Sequence, residues 1–419
     1  MKKNIITRIV EKKITTCIIG LGYVGLPLLQ LMSEKKFKVI GLDVKTEQIE
    51  KAKNGGLRAT LNPNEALKDV DIIIICVPTP VDENHRPDLC YVRKACQTIA
   101  KHLKDGVMVI LESTVAPGTT EEIVMALLEN SGLLAGKDFY VAYCPERVDP
   151  GNPSWTVENI PRVVAGITKE STDIAFSFYQ NVLKGKIIKM STPRAAEAVK
   201  IVENAFRDVN IAFVNELAKS FDKIDIDITE VLTGAATKPF GFLPHFPGCG
   251  VGGHCIAVDP YYLIEKAEKA GFSHKFLKLA REINDSMPEY TVQKLICGLN
   301  HVGKSVKNSV IAVLGLAYKG GVSDTRESPA FAIINQLKGL GANPKIFDPY
   351  VQDKSTVKTL GEAIKNTDCI VIVTNHPEFL DISPQKLLDN GVKVVIDGRN
   401  ILNKKEIQNL GLVYMGIGR

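Results

Sequence analysis

The chain is 419 residues long and 45% hydrophobic, too long for one core and rich enough in apolar residues for two or three. Its 52 basic and 47 acidic side chains are interspersed and leave a net charge of +5, which suits anionic small molecules and excludes the long basic runs of a nucleic-acid partner. Arg8 and Glu11 interrupt the first apolar positions, so no signal-peptide core forms. The run Ile72 to Val77 is far short of a membrane span, and the expectation is a cytoplasmic protein with no membrane partner.

Thr15 to Ile19 reads as a buried strand that runs directly into Gly20-Leu-Gly22-Tyr23-Val24-Gly25 and a helix expected from about Pro27 to Lys36. Strand, Gly-x-Gly-x-x-Gly and helix in this order are the dinucleotide fingerprint. Gly20 makes the tight turn, Gly22 lets backbone meet a pyrophosphate, and Gly25 lets the helix pack on the strand. A second strand, Lys38 to Leu42, ends on Asp43, whose carboxylate can accept hydrogen bonds from ribose hydroxyls. An acid there favours NAD as cofactor, because a 2′-phosphate would meet like charge.

Asp71 to Val77, Val107 to Glu112 and Asp138 to Tyr143 follow as buried parallel strands. Ligands of an open parallel sheet sit beyond the carboxyl ends of its strands, where the next loops put Thr79, Thr114 and Glu146. Read alone, each is equally an N-cap hydroxyl or a solvated loop carboxylate.

From about Pro193 to Ile224 the pattern predicts one helix of roughly 45 Å, long enough to link two domains and to pack on a second subunit. Its apolar positions are Val199, Val202, Phe206, Val209, Phe213 and Leu217. Lys200 and Asn204, one turn apart, form a donor pair that can converge on one oxygen; the alternative is a surface Lys beside a solvated Asn.

Phe246 to Pro260 carries glycines at 248, 250, 252 and 253, then His254 and Cys255. So many glycines allow backbone to approach a ligand closely, and the thiol that ends the run is the candidate nucleophile. The nine cysteines include no C-x-x-C pair, and Cys17, Cys76 and Cys369 lie in strand-like runs. They read as reduced core residues, with no disulfide framework and no metal site.

After Thr291 the pattern restarts. Val310 to Leu314 is a strand, Gly315, Gly320 and Gly321 lie in the next turn, Pro329 to Leu340 is helical, and Pro344 to Phe347 leads to Asp348. Strands at Cys369 to Thr374 and Val392 to Ile396 complete a second nucleotide-binding fold that lacks the dinucleotide spacing. Lys319, Arg326 and Arg399 lie at or beyond the strand ends, where cations bind phosphates or are simply solvated.

From Gly20-Leu-Gly-Tyr-Val-Gly-Leu-Pro27 through Gly252-Gly-His-Cys255 to Asp324-Thr-Arg-Glu-Ser328, the chain resembles the UDP-glucose/GDP-mannose dehydrogenase family. The resemblance implies an α/β protein with two Rossmann-like doubly wound parallel-sheet domains joined by a long central helix. It divides the chain into an NAD-binding domain at 1–192, with 1–13 an N-terminal extension, a central dimerisation and catalytic segment at 193–300, and a UDP-binding domain at 301–419. It implies a homodimer and oxidation of a sugar C6 alcohol to a carboxylate with two NAD⁺ consumed. Cys255 would carry a thiohemiacetal and then a thioester, with Lys200 and Asn204 on the C6 oxygen. Glu146, Thr114 and Asp259 would hold or activate the hydrolytic water. Gly20, Gly22, Tyr23, Val24, Gly25, Asp43, Thr79, Thr114 and Arg326 would contact NAD. Glu146, Arg147, Lys200, Asn204, Gly252, Lys319 and Arg399 would contact the nucleotide sugar.

Cys144-Pro-Glu-Arg-Val-Asp-Pro-Gly151 and Gly-His-Cys resemble the UDP-N-acetylhexosamine branch of this family. Cys255-Ile-Ala-Val-Asp-Pro260 points to UDP-N-acetylmannosamine and Lys238-Pro-Phe-Gly-Phe242 to UDP-N-acetylglucosamine; the former is favoured. Cys249 stands where the family more often has proline and reads as a bystander thiol. Two further readings are a nucleotide-sugar-binding protein without turnover, which has no use for a thiol beside a donor pair, and a two-electron hydroxyacid dehydrogenase, which makes one NADH per substrate.

Overall fold

The computed structural model describes residues 5–82, 84–149, 152 and 154–419, so Met1 to Asn4, and Pro150 and Gly151 of the Cys144–Gly151 motif, lie outside the described residues. The chain divides into two compact units, Met1–Glu203 with Tyr261–Phe272, and Asn204–Pro260 with Ser273–Arg419.

The first unit is built on eight strands: β1 (Thr15–Ile19), β2 (Lys38–Leu42), β3 (Ala59–Thr60), β4 (Ile72–Ile75), β5 (Met108–Leu111), β6 (Tyr140–Tyr143), β7 (Arg162–Gly166) and β8 (Ile187–Lys189). Their order is β3-β2-β1-β4-β5-β6-β7-β8. All neighbours are parallel except β6 and β7, so the expectation of parallel strands holds through β6. The four isoleucines of β4 show why such a strand reads as a continuous apolar run: Ile72 and Ile74 enter the core on one face, Ile73 and Ile75 that on the other. Residues set apart as an N-terminal extension include a helix, Ile5–Val10, whose Ile9 is fully buried in the first of these cores. Arg8 ties that helix to Asp71 through a two-pronged ion pair.

The second unit carries β9 (Val310–Leu314), β10 (Asn343–Phe347), β11 (Cys369–Ile372), β12 (Val394–Asp397) and β13 (Val413–Gly416), all parallel, in the order β10-β9-β11-β12-β13. The helix Pro329–Gly339 starts on an N-cap, Ser328, followed by Pro at its first position, a start legible in the sequence. In each sheet the order reverses beside the first strand, between β1 and β4 and between β9 and β11, and open α/β sheets bind ligands at such points.

The long helix runs Pro193–Phe221, 29 residues and about 44 Å. Its burial departs from the expected pattern. Glu197, Lys200, Asn204, Asp208 and Asn215 are buried, whereas Val202, Phe206 and Phe213 are 56%, 51% and 53% exposed. Among the described residues no helix is long and apolar enough to cross a membrane.

Candidate active site

At the β1/β4 switch point, Gly20 holds φ +94°, and a Cβ there would stand 2.6 Å from the Cys76 carbonyl oxygen. The helix starts at Gly25 rather than Pro27 and ends at Glu34. A Cβ at Gly25 would lie 1.9 Å from the Gly20 carbonyl oxygen, so only glycine lets helix and strand meet so closely, while Gly22 has open space in front of it. Asp43 accepts hydrogen bonds from the amides of Leu21 at 2.7 Å and Lys45 at 2.9 Å. Its carboxylate is half-buried and has lone pairs to spare for ribose hydroxyls. Tyr23 is exposed and Val24 half-buried beside this opening. Thr79 lies in the loop after β4, which is held in place by the Tyr262 hydroxyl donating to the Thr79 carbonyl at 2.5 Å. An open glycine backbone at a helix start and an acid beyond the next strand are the features NAD requires, and these residues fit it.

The same unit holds Glu146, Arg147, Thr114 and Lys200. Glu146 follows β6, half-buried, and accepts the Val148 amide. Burial pushes its carboxyl up; the charges of Lys200 and then Arg162 oppose this, and the net value stays above the ordinary one. Lys200 is only 7% exposed, which removes the reading of it as a surface residue. Arg147 is engaged by the long helix, with Nη2 2.5 Å from Glu203, and by the Pro161 carbonyl at 2.8 Å. Thr114 is half-buried in the loop after β5.

The second unit holds the candidate nucleophile. Cys255 is half-buried, and its carbonyl accepts the Asp259 amide at 2.8 Å as the helix Asp259–Lys269 begins. Asp259 in turn accepts the Asn204 amide, Nδ2 to Oδ2, at 2.5 Å. Cys255, Asp259 and Asn204 are therefore linked in one chain of hydrogen bonds. The four glycines before the thiol have a use the sequence did not indicate: the protein itself fills the space they leave. A Cβ at Gly248 would lie 2.6 Å from Arg399 Nη1, one at Gly252 2.7 Å from Tyr318 Cβ, and one at Gly253, where φ is +86°, 2.9 Å from the Tyr318 ring. The Gly253 amide also donates to the Arg326 carbonyl at 2.9 Å. Arg326 itself forks onto Asp324, with Nη2 at 2.5 Å. Lys319 is half-buried in the turn after β9, and burial lowers the pKa of Arg399. Cys249 is buried in the core of this unit, and desolvation pushes its thiol up to about 11.

The sequence matches the UDP-glucose/GDP-mannose dehydrogenase family in its NAD binding domain over residues 14–59 and 50–183, its central domain over 194–286 and its UDP binding domain over 312–404. The chain belongs to this family. It is 36% identical over 423 residues to the UDP-N-acetyl-D-mannosamine dehydrogenase of Pyrococcus horikoshii, covering 96% of this chain and 98% of that one. The solved structure of UDP-N-acetyl-D-mannosamine dehydrogenase from the same organism superimposes with a TM-score of 0.89 over 97% of this chain and 99% of that one. A crystal structure of an NDP-N-acetyl-D-galactosaminuronic acid dehydrogenase from Methanosarcina mazei, 30% identical, gives 0.85 over 100% and 98%.

This protein is thus an NAD-dependent nucleotide-sugar dehydrogenase. Two features of the dehydrogenase escaped sequence reasoning. Tyr318 packs on Gly252 and Gly253 from a distant turn, and its adjacency to Lys319 was the only local hint. Glu112 and Arg162 form an ion pair, Nη1 to Oε2 at 2.9 Å, with both side chains fully buried, and Tyr179 donates to the same carboxylate at 2.5 Å. Arg162 lies on β7, a strand without a distinct sequence signal.

Proposed function

We propose that the dehydrogenase oxidises the C6 hydroxymethyl of UDP-N-acetyl-D-mannosamine to the carboxylate through a covalent intermediate on Cys255. The hydrogen-bonded chain from the Cys255 carbonyl through Asp259 to Asn204 carries this reading, since it ties the oriented amide donor to the backbone that bears the thiol. The relatives named for this sugar and the Cys255–Pro260 motif favour it over UDP-N-acetylglucosamine, to which only Lys238–Phe242 points.

Bound NAD⁺ supplies the acceptor for two successive two-electron oxidations of each sugar. In the protein's own part of the reaction, Lys200 and Asn204 hold the C6 oxygen and stabilise the charge that develops there. The Cys255 thiol adds to the aldehyde carbon, forming C–S while its proton passes to the C6 oxygen and one hydrogen stays on carbon; the second oxidation removes that hydrogen as hydride, the oxygen's proton leaves to solvent, and a thioester results. Water held by Thr114 then attacks, C–S breaks, the thiolate leaves and the acid forms. Glu146, its carboxyl raised by burial, takes the proton from that water. Asp259 orients Asn204 rather than the water.

The three segments carry separate tasks: NAD at 1–192, dimer formation and catalysis at 193–300, and the UDP moiety at 301–419 through Lys319 and Arg399. A homodimer is supported by the exposed Val202, Phe206 and Phe213 of the long helix, a row of apolar side chains that water alone would not cover favourably. The test of the substrate is kcat/KM on UDP-N-acetylmannosamine, UDP-N-acetylglucosamine, UDP-glucose and GDP-mannose. The reading predicts the first to lead by at least about tenfold, the effect of one well-matched polar group; a lead by any other sugar contradicts it.

A further inference from the structure

The two units build their switch points alike up to one residue. In the first, the Gly20 amide donates to the Leu42 carbonyl at 2.8 Å and the Leu21 amide to Asp43 at 2.7 Å. In the second, Gly315 donates to Phe347 at 2.8 Å and Leu316 to Asp348 at 2.6 Å. Asp43 remains half-exposed, whereas Asp348 is fully buried. The difference is His376. Its Nε2 lies 3.0 Å from the Asp348 Oδ2 that also accepts the amides of Leu316 and Ala317, and the other oxygen is taken by the Tyr350 amide at 2.8 Å. Asp348 therefore has no free face for a ribose.

His376 has a second bond. The Gly321 amide donates to its Nδ1 at 3.2 Å, so Nδ1 carries no proton and the ring proton sits on Nε2, facing the carboxylate. Tyr350 stacks on the ring at 4.8 Å and Phe379 meets it edge-on at 5.5 Å, which fixes its plane. The imidazole thus holds both ends of the turn Leu316–Gly321, one directly and one through Asp348. Thr374 holds its middle, donating to the Ala317 carbonyl at 2.5 Å. The same turn carries Lys319, and its Tyr318 packs on Gly252 and Gly253 ahead of Cys255.

We propose that His376 is a positioning residue for nucleotide-sugar binding. With Asp348 it converts the ligand-facing acid of a dinucleotide fold into a buried anchor that shapes the Lys319 turn and, through Tyr318, seats the nucleophile run. This rests on the reading that the second unit binds the UDP moiety.

The test uses full-length His376→Asn, whose Oδ1 replaces Nδ1, and His376→Gln, whose Nε2 replaces the ring Nε2. Hydrogen exchange of the 315–321 turn is measured in the ligand-free protein, together with calorimetric titration of UDP and of NAD⁺. UDP binding is expected to weaken about tenfold in both variants, in His376→Gln through loss of the Gly321 bond and in His376→Asn through loss of the Asp348 bond. NAD⁺ affinity should be unchanged in both, and turn exchange should be faster in both, at the Gly321 end in His376→Gln and at the Leu316 end in His376→Asn. Equal UDP affinity in all three proteins, or a parallel loss of NAD⁺ affinity, overturns the proposal. If wild type binds no UDP while the exchange difference is present, the UDP reading fails and the anchoring of the turn stands.

Discussion

Asn204 and Asp259 are joined by a 2.5 Å hydrogen bond between two buried side chains, one on the long helix and one at the start of the helix that follows Cys255. The bond uses one of the two amide hydrogens of Asn204 and fixes the direction of the other. Asp259→Ala removes the acceptor, so the Asn204 amide loses its orientation. Its kcat should fall about 100-fold, the scale of one lost oxyanion donor, with UDP affinity within about threefold. Steady-state kinetics with a UDP titration checks this.

The long helix shows where sequence reasoning succeeds and where it fails. Its existence and extent were legible, as were the fingerprint glycines, Asp43 and the strand-turn-helix-strand-acid order of the second unit. Its orientation was not. Periodicity assumes that the inward face is apolar, but here Ile201, Val214 and Ala218 share it with buried polar residues satisfied by distant partners: Asp208 by Arg281 at 2.6 Å, and Asn215 by Asn284 at 2.9 Å and the Gly248 amide at 3.0 Å. Bonds that join residues so far apart in sequence leave no local pattern. His376 and Tyr318 were missed for the same reason.

The outward stripe of that helix yields a prediction about assembly. Phe206→Glu with Phe213→Glu places two charges where the apolar row needs a partner surface. The variant should be monomeric by light scattering while wild type is dimeric. Identical masses for the two proteins would show that this face is not the interface.

The buried Glu112–Arg162 pair makes a stability prediction. Arg162→Met leaves the Glu112 carboxylate buried without its cation and should cost about 3–5 kcal/mol. Adding Glu112→Gln removes the stranded charge and should restore most of that loss. Denaturant unfolding of the single and double variants gives the comparison, and a double variant no more stable than the single would refute it.

Glu197, on the long helix, predicts a pH effect. It accepts hydrogen bonds from the Thr120 hydroxyl and amide and from the Gly118 amide, yet burial outweighs them and pushes its carboxyl up to about 7. The folded state thus holds this proton more tightly than the unfolded chain. The resulting stabilisation is complete below about 4.5 and lost as pH rises to about 7, and at about 1.4 kcal/mol per pH unit it is bounded at roughly 3 kcal/mol. Glu197→Gln is neutral throughout, so wild type should lose stability relative to it between these pH values and run parallel above them. A constant difference in urea midpoints across that window would contradict the assignment.

The covalent role of Cys255 is tested most directly by counting NADH formed per UDP-N-acetylmannosamine consumed, with Cys255→Ala beside wild type. The account predicts two NADH per sugar in wild type and no carboxylate from the variant. One NADH per sugar, with the variant unaffected, would contradict it.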